Sequence, residues 1–430
     1  MFHKKQFVLL IWLGICVLSN AQKDYARKVV DTLASPYMAG RGYVDGGDKK
    51  AAAYISDQMG SFGLLHFGND YMQPVSFNVN TFPGKMDVSL MVNKAAVKPI
   101  PGADYIVLPN SCSMKGTYPI VTLTNDMYTE KAKMYEFLHT DHRKQFVVVK
   151  GADPTVKEQK ELYAYAIHNP FKAKGVIILC NKLTEETSDT VADYALMNAE
   201  TNSKFDTASS ITIDIQNKFV KNYASQNLIG YIKGTVQPDT FIVFSAHYDH
   251  LGRMGDIYFP GANDNASGTS MLLSLAKYYS EHKQNLRYSI AFIAFTGEEM
   301  GLFGSKYYVG HPLFPLSNIR FEINMDIMGT GDEGITVVNA TKYTEAFHDL
   351  NRINDSLHLL KLIKPRGATS NSDHYFFYTK HVPDFFIYTM GGIKAYHDIY
   401  DRRETLPLTN FDDVFHLLIN FADDINNRRF

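Results

Sequence analysis

The sequence has little sulfur and almost no tryptophan. Of its three cysteines, Cys16 falls in the N-terminal apolar stretch, which leaves Cys112 and Cys180. Two isolated thiols do not make a thiolate metal site, and spacing alone does not say whether they pair. The single tryptophan, Trp12, lies in the same N-terminal stretch. An excess of one charge is also missing, with 43 Lys+Arg against 45 Asp+Glu in 430 residues. Without a basic balance, neither a nucleic acid nor an acidic membrane surface is expected as a partner. No Gly-x-Ser-x-Gly elbow occurs, so a serine hydrolase is not expected. There is no internal repeat and no low-complexity tract.

What is present begins with a leader. His3-Lys4-Lys5, an apolar stretch over 7–18 and Ser19-Asn20-Ala21 read as an export signal, residues 1–21. The apolar stretch is shorter than the ~20 residues a spanning helix needs. Ile15 before Cys16 fits a lipoprotein cleavage site poorly. The expectation is an exported protein, periplasmic or extracellular, with no stable membrane insertion after cleavage. Losing Lys4 and Lys5 leaves the mature chain mildly acidic. Nothing in the sequence sets an oligomeric state.

Three segments follow. Residues 22–80 read as helix and turn, with a helix over 49–61 and a strand over 71–80. Residues 81–221 change character: short strand-like runs at 88–91, 105–107, 120–123, 145–149 and 175–179 alternate with turns, and 157–167 is the expected helix. This segment reads as an insertion with its own small core. Residues 222–430 alternate strand, turn and helix, with apolar strands over 228–233, 240–246, 287–296, 321–328, 334–338 and 383–390. Helices are expected at 270–279, 302–308, 344–357 and 410–425. Near-continuous apolar strands alternating with helices imply an α/β fold whose mostly parallel sheet is covered on both faces.

Candidate ligands cluster after these strands. His247 follows 240–246, Glu298-Glu299 follows 287–296, Asp326 sits near the end of 321–328, and His397 lies just beyond 383–390. Asp264 joins them from the Gly/Asn-rich turn 261–268. The crevice beyond the carboxyl ends of strands is where open α/β sheets bind ligands. Asp249 shares a face with His247 two residues away, as a group that orients a ligand would. Two histidines and three carboxylates suit zinc first, then manganese or cobalt. Five ligands exceed what one open catalytic zinc takes from protein, which favours two ions bridged by a carboxylate. Spacing does not choose between Glu298 and Glu299.

Other signals are weaker. Gly329-x-Gly331-x-x-Gly334 leads into a strand, not a helix, so it is no dinucleotide site. Asp373 in Ser372-Asp373-His374 reads as a helix N-cap rather than a catalytic acid. Asn265-Ala-Ser267 is a formal glycosylation sequon in a turn that would tolerate a glycan poorly.

Taken together, Ala246-His247-Tyr-Asp249-His250-Leu-Gly252, Gly261-Ala-Asn-Asp264-Asn265-Ala-Ser-Gly268, Thr296-Gly-Glu298-Glu299-Met-Gly301, Asn324-Met-Asp326 and Tyr396-His397 resemble the co-catalytic di-zinc exopeptidases. That family includes aminopeptidase Y and, more distantly, glutamate carboxypeptidases and glutaminyl cyclases. Met38-Ala-Gly-Arg41-Gly resembles its N-terminal portion, and 81–221 resembles a protease-associated domain. The resemblance implies a zinc-exopeptidase, phosphorylase/hydrolase-like three-layer αβα domain with a mixed, mostly parallel sheet, plus a small β-rich insertion.

It also implies two Zn2+, one on His247, Asp264 and Asp326, the other on Asp264, Glu299 and His397. Asp264 would bridge, with a cis Asp264–Asn265 peptide. Asp249 would orient His247, Glu298 would be the general base, and Tyr396 would help stabilise the oxyanion. The implied activity is that of an aminopeptidase on peptide substrates; a carboxypeptidase or dipeptidase on the same site, and a non-catalytic receptor-like homologue, are the alternatives. The chain departs from the family pattern after His397, where Asp398-Ile399-Tyr400-Asp401 replaces the usual small or threonine residue and proline.

Overall fold

Tyr288–Phe295 is buried along its whole length, and Gln237–His247 is buried from Phe241 onward. Strands so uniformly apolar need cover on both faces. The computed structural model, which describes residues 22–427, places these two strands near the centre of an eight-stranded mixed sheet. The strand order is Met72–Thr81, Lys218–Ile232, Tyr288–Phe295, Gln237–His247, Ile319–Met325, Asp384–Met390, Gly334–Val338 and Ile363–Pro365. The four central strands run parallel to one another. Antiparallel strands flank them, and the outermost pair, Gly334–Val338 with Ile363–Pro365, is parallel again. The leader read over 1–21 lies outside the described residues.

Side chains alternate along each strand, so each central strand serves two cores. Ile242, Phe244 and Ala246 join a core built with helices Gly47–Ser61, Gly268–Glu281, Thr344–Leu357 and Phe411–Asn427 and with a helix over 22–33. Phe241 and Val243 pack on the other face with Tyr308, Phe314 and Phe377, carried by helices Phe303–Gly310 and His374–Thr379 and the chain between. The result is three layers, αβα. Residues from distant segments meet at one sheet end because the register aligns His247 with Phe295 and Ser245 with Asn324.

The chain leaves this sheet after Met72–Thr81 and returns through Lys218–Ile232, with Thr81 directly opposite Lys218. Between them lies a second eight-stranded sheet, whose strands Met114–Leu123, Phe146–Val149, Gly175–Cys180 and Ala195–Glu200 are parallel. Its apolar core includes Phe146, Ile177, Leu196 and Phe205 and continues into Met254 and Phe259 of the following segment. Helices Asn125–Thr129, Lys131–His139 and Lys160–Ala166 accompany it. Cys112 and Cys180 are both free thiols.

Several elements differ from the sequence reading. The helix expected over 157–167 is a 3-10 turn followed by Lys160–Ala166. Ala195–Glu200 and Ser210–Ile215 are strands that the reading passed over. Ala-Leu-Met-Asn-Ala-Glu carries helix formers, and pairing between Gly175–Cys180 and Tyr105–Val107 overrides that preference.

Phe292 is fully buried and stacks on Phe244 at 5.9 Å. Phe292→Ala should cost about 3–5 kcal/mol of folding stability. Urea unfolding of the purified chain measures it; a loss below about 1 kcal/mol would mean this core is not the packed one described.

Candidate metal centre

The ends of the parallel strands carry the acids and imidazoles. His247 is the last residue of Gln237–His247, and Asp326 follows Ile319–Met325 directly. Glu298 and Glu299 lie in the turn after Tyr288–Phe295, opened by Gly297 in the left-handed region (φ 66°). His397 follows Asp384–Met390 by a loop and is itself left-handed (φ 55°). Asp264 lies in the short turn Ala262–Ser267 that leads into Gly268–Glu281, with a non-helical backbone of its own (φ −106°, ψ 102°). Its peptide to Asn265 is cis.

These residues converge. His247 Nε2 is 3.4 Å from both Asp264 Oδ1 and Asp326 Oδ1. His397 Nε2 is 3.1 Å from both Asp264 Oδ2 and Glu299 Oε2. Asp264 therefore turns one oxygen to each imidazole. Glu298 Oε2 stands 4.0 Å from His247 Nε2. Tyr396 is 43 % exposed, and its ring stacks on His397 at 3.9 Å.

Three groupings among the described residues could each hold a cation: His247, Asp264 and Asp326; His250, Asp264, Glu299 and His397; and His247, Glu298 and Glu299. The donor chemistry fits a metal. His247 Nε2 and Asp326 Oδ1 are buried, and neither has a hydrogen-bond partner. Leaving such atoms unpaired costs roughly 1–3 kcal/mol each, a penalty a coordinated ion removes. Each imidazole is also oriented for coordination. His247 Nδ1 lies 3.2 Å from the Asp249 carbonyl and His397 Nδ1 3.0 Å from the Glu185 carbonyl. Donating there, both rings keep Nε2 free as a ligand atom.

The electrostatics ask for positive charge. Burial alone would raise the Asp264 carboxyl, yet the adjoining His247 and His397 rings hold it well below the usual range. Burial works against Glu299 too, and His397 and His250 still keep it down at about 2. Glu298 goes the other way, raised well above the usual range by burial, with Glu299 adding to the rise and His247 opposing it.

The sequence reading assigned no role to four residues that shape this centre. Arg41 is fully buried and donates to the carbonyls of Leu33, Tyr248, Pro260, Gly261 and Asp264 at 2.7–3.1 Å. Asp401 accepts the backbone N–H groups of Asn263 and Asp264 at 2.8–3.0 Å. His250 Nδ1 donates to Glu299 Oε1 at 2.6 Å, which leaves Oε2 facing His397. The Tyr43 hydroxyl donates to Asp249 Oδ2 at 2.7 Å, and Asp249 Oδ1 accepts the Glu298 N–H at 3.2 Å. Three of the four act on backbone or on a residue behind the ligands, which spacing does not reveal.

Two sequence expectations change in detail, and a third holds. Asp249 stands 3.7 Å from His247 Nδ1 by its carboxylate, and its backbone carbonyl is the nearer partner. Asp373 occupies the N-cap position of His374–Thr379 but makes no capping bond; its carboxyl is fully buried and pushed up to about 7 by that burial. Asn265 is fully buried, its amide donating to the Met325 carbonyl and accepting from Gly268, so the sequon has no access for a glycan.

Comparison with known proteins points the same way. Residues 227–422 match the profile of peptidase family M28. Aminopeptidase YwaD of Bacillus subtilis is 37% identical over 118 residues, 27% of this chain and 24% of that protein. A probable zinc metalloprotease of Leptosphaeria maculans is 36% identical over 115 residues, 25% of this chain and 26% of that protein. The matched stretch thus spans about a quarter of the length of these relatives. A solved zinc aminopeptidase from Bacillus subtilis shares the fold at TM-score 0.68 and 20% identity, covering 93% of this chain and 94% of its own. A peptidase M28 precursor from Shewanella amazonensis does so at TM-score 0.71 and 15% identity, covering 96% and 98%. The segment that carries every proposed ligand, residues 227–422, thus matches peptidase family M28, and its motifs resemble those of the co-catalytic zinc exopeptidases.

Proposed function

We propose that this chain is a zinc-dependent exopeptidase, an aminopeptidase that removes N-terminal residues from peptides. The observation that carries the reading is Asp264, whose two oxygens each face a different imidazole, with Glu298 alongside. His247, Asp264 and Asp326 would hold one ion, and Asp264, Glu299 and His397 the other. Manganese or cobalt would be a possible substitute for zinc on this donor set. When bound, zinc supplies a Lewis acid at the scissile carbonyl and lowers the pKa of water.

The chain's own groups supply the rest. Glu298 takes the proton of the attacking water on its carboxylate and returns it to the leaving amine. The Glu298 N–H bonded to Asp249 fixes where that carboxylate starts. The Tyr396 hydroxyl donates to the carbonyl oxygen as it gains charge. Arg41 and Asp401 hold the Asp264 loop in place, so no reorganisation is needed on binding.

The recess in front of the ligands favours a cationic amino terminus. It is lined by Glu186, Glu298 and Glu299 with Ser370, Asn371 and Tyr396, and no Lys or Arg stands among the described lining residues. A carboxypeptidase needs a cation for the terminal carboxylate. The nearby Lys182 ammonium is 3.5 Å from the Asp398 carboxylate and donates to the Lys394 carbonyl.

Two further parts of the reading concern the rest of the chain. The leader motif supports export to the periplasm or beyond. No helix among the described residues is long and apolar enough to cross a membrane. We also read the insertion, residues 81–221, as a protease-associated domain that contributes to the site. Its Glu185 N–H donates to the His397 carbonyl, its Glu185 carbonyl accepts from the His397 ring, and the Thr187 hydroxyl donates to the Glu299 carbonyl.

Glu298→Gln should lower kcat by about 10²–10⁴-fold with zinc content per chain unchanged. Elemental analysis and steady-state kinetics on an aminoacyl-p-nitroanilide check both; unchanged turnover would remove Glu298 from the proton-transfer role. Peptides with a free amino terminus and an amidated carboxyl terminus should be cleaved, while N-acetylated peptides should not. The reverse pattern would favour a carboxypeptidase. Chelation should abolish hydrolysis and lower the melting temperature, and added zinc should restore both.

A further inference from the structure

Behind Asp326, a line of buried polar side chains crosses the sheet. Ser372 Oγ lies 3.2 Å from Asp326 Oδ2, and Asn324 Nδ2 lies 2.8 Å from Ser372 Oγ. Asn324 Oδ1 lies 2.9 Å from Ser245 Oγ, which in turn contacts Glu322 Oε1. Ser245, Asn324, Ser372 and Glu322 are all fully buried. They sit on three elements: Ser245 on Gln237–His247, Asn324 and Glu322 on Ile319–Met325, and Ser372 just before helix His374–Thr379.

Counting hydrogens gives this line one direction. An ionised Asp326 only accepts, so the Ser372 hydrogen must point to Asp326 Oδ2. Ser372 must then accept from the Asn324 amide nitrogen, which fixes the orientation of that amide. Asn324 Oδ1 must in turn accept the single Ser245 hydrogen. With that hydrogen used, Ser245 is bonded to Glu322 only if Glu322 is the donor. The opposite assignment sets two lone pairs against each other at 2.9 Å between Ser245 and Asn324.

We infer that Glu322, protonated, starts a one-way hydrogen-bond chain through Ser245, Asn324 and Ser372. The chain engages Asp326 Oδ2 and reserves Oδ1 for the metal. Its members are positioning residues. The inference rests on the metal assignment above. Three further observations fit it. Asp326 Oδ1 has no hydrogen-bond partner and lies 3.4 Å from His247 Nε2. Glu322 sits directly opposite Asp384 in the parallel register. Full burial, with that second carboxyl as neighbour, drives the Glu322 carboxyl well above its ordinary range. Asp384 Oδ1 accepts from the Asn339 amide at 2.5 Å, and burial pushes Asp384 up to about 8.

Zinc affinity of the purified full chain, by competition with a chromophoric chelator, tests this. Ser372→Ala should weaken binding of one of the two ions by about 10–100-fold, as loss of a group behind a ligand does. Asn324→Asp, which can no longer donate to Ser372, should do the same. Ser372→Thr should restore the affinity, since its hydroxyl replaces the lost donor. Glu322→Gln should leave affinity within about twofold of wild type, because its amide donates as the acid does. Melting of the metal-free proteins separates positioning from packing: Ser372→Ala should melt near wild type without metal and gain less from zinc. Should Asn324→Asp not fold, Ser372→Ala decides. Wild-type zinc affinity in Ser372→Ala would overturn the chain; a Glu322→Gln loss equal to that of Ser372→Ala would overturn its direction. A wild-type chain that binds no zinc would overturn the metal assignment instead.

Discussion

Asp264 is the constraint on which the rest depends. One carboxylate must present an oxygen to each of two histidines that come from opposite ends of the catalytic segment. Its side chain alone could swing, so the surrounding backbone has to be fixed. Arg41 holds the loop from one side through the carbonyls of Pro260, Gly261 and Asp264. Asp401 holds it from the other through the N–H groups of Asn263 and Asp264. Cation grips carbonyls and anion grips amides, so each contact is charge-assisted and stronger than a neutral one. Gly261 completes the arrangement. It lies at φ 56°, and a Cβ there would stand 2.2 Å from the Asp264 carbonyl oxygen and 2.4 Å from the His250 ring.

The same logic explains why segments remote in sequence are needed. Arg41 comes from the N-terminal portion, Asp401 from beyond the last proposed ligand, and Glu185 and Thr187 from the insertion. The insertion leaves and returns through strands paired at Thr81 and Lys218, so it is anchored by the peptidase sheet rather than tethered by a linker. Its contacts with His397 are backbone to backbone and backbone to ring. They set a ring orientation without requiring any particular side chain at 185.

That division also marks what could be read from the sequence. The proposed ligands stood out because strand ends of a parallel sheet share one crevice, and His247, Asp326 and the Glu298-Glu299 pair follow strands with clear apolar runs. The order of the αβα layers followed from the same runs. Choosing Glu299 as ligand over Glu298 needed the family resemblance, and the geometry places Glu299, not Glu298, 3.1 Å from His397 Nε2. Arg41, Tyr43 and Asp401 were not legible in their roles, because each acts through contacts 137 to 223 residues away in the chain. Asp373 was misread for a related reason. Its position before a helix suggested a cap, but the side chain turns to the interior, which local sequence does not encode. Ala195–Glu200 was missed because its residues favour helix and only its neighbours in the sheet make it a strand.

Asp249 shows how a ligand and a proton carrier can be set by one residue. Its carbonyl lies against His247 Nδ1, and its carboxylate accepts the Glu298 N–H and the Tyr43 hydroxyl. Because carbonyl and carboxylate belong to one residue, the His247 ring and the Glu298 backbone cannot shift independently by much. Tyr43 fixes the carboxylate in turn, with its own ring held edge-on by Phe77 and Tyr223 at 5.1 and 5.2 Å. A carboxylate that only polarised His247 would sit closer to the ring than 3.7 Å. The longer distance follows from its bonds to Glu298 and Tyr43. Under the proposed function Asp249 therefore links the proposed ligand His247 to the proposed base Glu298, a wider task than orienting one imidazole.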